Sequence, residues 1–90
     1  MPQTTLKVVD GPDKPALQSA LAHPEGEKVH FWLEGDGVDA QILSMEEQPG
    51  GASFMLDGVL KSGQHKNLAF RGSYSIETRS GELKVGPPSH

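Results

Sequence analysis

Asn67-Leu-Ala-Phe-Arg-Gly-Ser-Tyr-Ser-Ile-Glu77 is the stretch whose reading decides the fold. Leu68, Phe70, Tyr74 and Ile76 fall on one face with Gly72 among them, while Ala69, Arg71, Ser73, Ser75 and Glu77 fall on the other. A period of two held over this length is the signature of a half-buried β-strand, because successive side chains leave a sheet on opposite sides. The same alternation sets Arg71 on the polar face beside a glycine, where a backbone or a ligand can approach closely.

Working outward, everything after Lys28 reads as strands separated by glycine turns. Val29, Phe31 and Leu33 alternate with His30, Trp32 and Glu34, and Gly35-Asp-Gly37 carries the Asp-Gly pair favoured for tight reversals. Val38, Ala40 and Ile42 share a face, but Leu43 and Met45 follow out of phase, which predicts a bulge or sharp bend near Leu43. The expected strands are 29–34, 38–46, 53–60, 67–77 and 82–85, with 86–90 as a flexible tail. Upstream, Thr5–Val9 is short and β-prone, and Asp10-Gly-Pro12 ends it. A helix over about 13–23 follows, opened by Asp13 as N-cap with Pro15 in the first turn and stopped by His23-Pro24. Leu17, Ala20 and Leu21 form its apolar stripe.

One short N-terminal helix and about five bent antiparallel strands, all within 1–90 as a single domain, predict a mainly β protein built as a small barrel. An open α+β sheet and a two-layer roll are the competing arrangements. Composition sets a tight limit on the core. Ninety residues, 34% hydrophobic and 6% aromatic, leave Phe31, Trp32, Phe54, Phe70 and Tyr74 to carry much of it. The sequence has no cysteine, which removes disulfides, thiolate metal sites and cysteine nucleophiles. No apolar run approaches the roughly 20 residues of a membrane span, and the opening Met-Pro-Gln-Thr-Thr lacks the regions of a signal peptide. A cytoplasmic protein with no membrane association is the expectation.

The net charge of −4 is unfavourable for nonspecific nucleic-acid binding. It is unevenly spread, with three Lys/Arg against nine Asp/Glu in residues 1–50 and five against three in residues 51–90. The acidic half could meet the basic half of a second copy, or the basic half could face an anion. Solvated faces of unequal sign are the simpler alternative.

Two places resemble the Sm-like family of Sm, LSm and Hfq proteins. Val29-His-Phe-Trp-Leu33, a Gly/Asp turn and Val38-Asp-Ala-Gln-Ile-Leu-Ser-Met-Glu46 are similar to its first motif. Phe70-Arg-Gly-Ser-Tyr-Ser-Ile76 is similar to its second, in which an apolar residue precedes Arg-Gly. With the helix, the likeness covers about 13–77. Ala40 stands where the family usually has glycine, the base-holding Asn is not evident after Glu46, and Ile76 comes one residue late. The resemblance implies an SH3-like or Sm-like barrel and a homo-oligomeric ring joined edge to edge, with RNA in the pore. Arg71 and Gly72 are the RNA-contacting positions that match.

Candidate site residues follow from chemistry. Arg71 can clamp a phosphate or stack on a base, and its alternative is a cross-strand partner for an acid. His65 and Lys66, at a hairpin tip, could join Arg71 against RNA or another polyanion, or simply be a polar loop. His30 and Trp32 share the face opposite Phe31. There Trp32 is either an exposed interface or stacking residue, or is wrapped by the core under the helix. Glu34, Asp36 and Asp39 offer oxygen ligands without an EF-hand spacing, and His23, His30, His65 and His90 show no paired ligand spacing, so no metal site is assigned. Ser73 or Ser75 with His65 and Asp57 lacks a nucleophile elbow or oxyanion device. The glycines form no phosphate-cradling loop or dinucleotide fingerprint, so neither enzyme activity nor a cofactor is expected. These readings describe a small binding domain, either Sm-like with RNA or its own copies as partners, or a protein–protein adaptor or assembly subnit using Trp32 and an unpaired edge strand.

Overall fold

The computed structural model describes residues 4–23 and 25–86. The expected tail beyond Gly86, with His90, lies outside the described residues. The elements run β1 (Thr4–Asp10), α1 (Lys14–Ala22), β2 (Val29–Leu33), β3 (Asp36–Glu47), β4 (Ser53–Leu60), β5 (Ala69–Ser75) and β6 (Ser80–Val85). Each strand pairs antiparallel with the next, and β6 returns to β1, so the sheet closes into a six-stranded meander barrel. The five strands expected after the helix are all present. The β-prone opening segment is a sixth, and it closes the barrel by pairing Thr4 to Val85 through Val8 to Gly81.

Alternation fills the interior. Val29 and Phe31 of β2, Val38, Ala40 and Ile42 of β3, Phe54, Leu56 and Leu60 of β4, Phe70 and Tyr74 of β5, and Leu83 and Val85 of β6 are buried. Phe31 packs edge-to-face on Phe70 and Tyr74, with ring centroids 6.3 and 5.5 Å away. The bulge foreseen at Leu43 is real: the β3–β4 register shifts between Ile42 and Ser44, and Leu43 turns outward. The reversal falls on Glu34-Gly35, where Gly35 takes φ +81, and not on the expected Asp36-Gly37 pair, which already belongs to β3 and faces Leu33 and Trp32.

A barrel of so few strands must coil tightly, and glycines at inward positions allow it. A Cβ on Gly58 would run into the Gln41 carbonyl oxygen, one on Gly72 into that of Glu82, and one on Gly81 into that of Ser73. At each point the neighbouring strand leans into the space a side chain would need. The close approach at Gly72 is thus made by β6 and serves closure.

In chain order the helix falls between β1 and β2, and it packs mainly against β3. Asp13 caps it by accepting from the Ala16 N–H at 3.0 Å, and His23 ends it with its N–H on the Ser19 carbonyl. A helix of nine residues is marginal alone. Burial of Leu17 and Ala20 in the barrel core secures it. Tyr74 reaches the α1 approach, donating its hydroxyl to the Pro12 carbonyl at 2.8 Å.

Three expectations change. Trp32 is not in the core: it is 52% exposed, because β2 spends its inward positions on Val29, Phe31 and Leu33 while α1 packs mainly against β3. Leu68 is 41% exposed, because strand β5 starts only at Ala69, after a turn in which Asn67 takes φ +73. The strand also ends at Ser75, short of Glu77. Finally, no strand is left wholly without a partner on either side, since the hydrogen-bonded circuit closes. Its weakest join is β1–β2, where only Val8↔Leu33 and Asp10↔Trp32 pair, with a shift between them.

Candidate functional site

The outer surface of the barrel can be read as rows, because paired residues share a face. Across β1, β2 and β3 one row is Asp10, Trp32 and Gly37, and the next holds His30 and Asp39. The His30 Nδ1 lies 2.9 Å from the Asp39 carboxylate, and its ring meets Trp32 edge-on at 4.5 Å between centroids. Both rings lean over Gly37, where a Cβ would collide with His30 and crowd Trp32. Glycine at this position lets the aromatic pair lie against the sheet, held by Asp39. Val9, pushed out where the β1–β2 register shifts, is 52% exposed. The result is a largely apolar, pre-organised patch flanked by the Asp10 and Asp39 carboxylates.

The opposite face of the barrel is a charge mosaic. Arg71 sits between Asp57 on β4 and Lys84 on β6, and the next row is Met55, Ser73 and Glu82, with Lys7 beyond it on β1. Arg71 Nη1 lies 3.7 Å from Asp57 Oδ2, the cross-strand pairing that is the alternative to a phosphate clamp. With both groups well solvated the pair contributes at most about 1 kcal/mol. A shallow depression of about 360 Å³ collects Arg71, Gly72, Ser73, Glu82 and Lys84. Ser73 donates to Gln48 at 3.0 Å, so neither it nor Asp57 is joined to His65.

His65 belongs to a third region, at the end of the barrel away from the start of β4. There it lines a groove of about 410 Å³ with Leu6, Leu33, Glu34, Asp36 and Val38. Lys66 is exposed in the same loop, its N–H on the Gly63 carbonyl at 3.3 Å. The barrel does not gather the four proposed anion-binding residues: Arg71 and Gly72 line one depression, and His65 lines another. Glu34 and Asp36 line the groove while Asp39 is engaged with His30, and among the described residues no group of three His, Asp or Glu side chains is set to hold a metal.

The most perturbed titratable group is structural. Tyr74 is fully buried, and loss of hydration pushes its phenol up to about 12, helped by the nearby Asp10 and Asp13 charges and opposed by Arg79. Sequence reasoning missed the groove and the part played by Gly37. The signal for the second was available in a glycine at position 37, which the hairpin pairs with Trp32. The first depends on how far β1 outruns β2. No helix among the described residues is long and apolar enough to cross a membrane. Comparison with family models, curated proteins and solved structures gave no match.

Proposed function

We propose that the chain is a cytoplasmic, non-enzymatic binding domain whose protein partner docks on the outer face of β1–β3 around Trp32. The observation that carries this reading is a tryptophan 52% exposed near the end of β2, held edge-on by His30 over a glycine, with exposed Val9 at the register shift next to its β1 partner Asp10. Large aromatic side chains with their orientation already fixed supply much contact area at little entropic cost, which makes them frequent anchors of interfaces. The Sm-like alternative, with RNA or another polyanion as partner, draws less support. Arg71 is matched by Asp57, Glu82 shares its depression, His65 lies in a separate groove, and the chain carries a net charge of −4.

A photo-crosslinking residue at Val9, with the same residue at the equally exposed Leu43 as control, tests the reading in the cells that make the protein. Expected are protein adducts specific to the Val9 position, resistant to nuclease and lost on Trp32→Ala. Adducts removed by nuclease, or equal yields from both positions, overturn it.

A further inference from the structure

The barrel closes, but not along its whole length. From Thr4 to Val8 every residue of β1 pairs with β6. On its other side β1 meets β2 only at Val8 and Asp10. The cause is the reach of the neighbour: β2 ends at Leu33, and the Glu34-Gly35 turn carries the chain away into β3. Thr4–Lys7 therefore runs past the last residue able to pair with it. Among the described residues, no turn or loop backbone hydrogen bond reaches this stretch. Four residues of strand expose about 13 Å of edge on that side.

The groove of about 410 Å³ lies directly against this edge. Leu6, Leu33 and Val38 provide an apolar floor. Glu34 and Asp36 stand on the hairpin side and His65 on the loop side. Lys7 is the one lysine or arginine on its wall, against two carboxylates. An open row of backbone donors and acceptors is complementary to another extended backbone, and adjacent pockets then select alternate side chains.

We infer that this groove takes an extended basic segment of a partner protein, which adds beside Thr4–Lys7 as a short antiparallel or parallel strand. Apolar side chains of the segment alternate onto Leu6, Leu33 and Val38, and its lysines or arginines face Glu34 and Asp36. The site is distinct from the Trp32 face and does not rest on it.

Nitrogen-15-labelled full-length protein is titrated with acetyl-Lys-Val-Lys-Val-Lys-amide while the backbone amides are followed by NMR. Saturable shifts are expected at Thr5, Leu6 and Lys7 together with Leu33 and His65, with Arg71 and Ser73 still. An analogue N-methylated at alternate residues removes the backbone donors and is expected to bind at least about tenfold more weakly. The corresponding Glu-Val-Glu-Val-Glu peptide and the exposed-turn variant Glu34→Lys weaken binding in the same direction. Spectra unchanged at millimolar peptide, or equal affinity for the N-methylated analogue, overturn the inference. So do shifts confined to His30 and Trp32, which would leave the Trp32 reading intact. Concentration-dependent shifts of Thr5–Lys7 without peptide would put a second copy of the chain in the groove and overturn it as well.

Discussion

At the scale of single residues, Tyr74 joins core, helix approach and pH dependence. Its ring meets Phe31 edge-to-face while its hydroxyl ties β5 to Pro12, just ahead of α1. Burial favours the neutral phenol, raising it from 10.0 to about 12. The sign follows directly. The folded state holds the proton more tightly than the unfolded chain, so the stabilisation is complete below pH 10 and is lost as pH rises through about 12. The amount at stake is about 2–3 kcal/mol. Because Tyr74 is the only tyrosine, absorbance near the tyrosinate band reports on it alone. Ionisation should be delayed to about pH 12 and coincide with loss of tertiary structure. A free titration at the ordinary tyrosine value would contradict the burial. The sequence had placed Tyr74 on the inward face, but its partner Pro12, 62 positions away, was beyond any local pattern.

At the scale of elements, the strands differ from a generic alternating pattern in where they allow a neighbour to lean in. Gly58, Gly72 and Gly81 are sites at which β3, β6 and β5 respectively occupy the space of a missing side chain. Gly58→Ala, Gly72→Ala and Gly81→Ala should each cost about 3 kcal/mol, since backbone must move to admit one methyl. Gly26, with open space around its Cβ position, is the control: Gly26→Ala should change stability by no more than about 1 kcal/mol, in the stabilising direction. Denaturant unfolding of the four variants checks both halves. Equal, small effects throughout would mean the strands are not held by these approaches. Here the sequence was legible in part. The alternation of 67–77 exposed a glycine among inward positions, but whether a ligand or another strand approaches it depends on the register of β6.

At the scale of the whole molecule, stability should be unevenly distributed around the barrel. The β3–β4 and β4–β5 joins each have seven paired positions, whereas β1–β2 has two. Local opening follows the weakest join, because exposing few paired groups costs least. Native-state hydrogen exchange should therefore find the slowest amides in β4 and its partners. Faster exchange is expected in β1 residues that face β2. Uniform protection around the ring would contradict a weak join. This asymmetry also bears on the two proposed surfaces, since the Trp32 face and the end groove both border the β1–β2 join. A partner bound at either would slow exchange there.

The local alternation of residues 29–85, the Asp13 cap, the phase slip at Leu43 and the glycine turns were enough to predict a helix, five of the strands and a barrel, though not to separate the barrel from an open sheet or a two-layer roll. These features arise from neighbouring residues and need no distant partner. Only the tertiary structure decided that Thr4–Asp10 closes the circuit, that Trp32 stands outside, that His65 and Arg71 part company, and that β1 overshoots β2. Each of these depends on register between segments far apart in the chain. Register is set by the coiling of the closed sheet as a whole, which no single strand encodes.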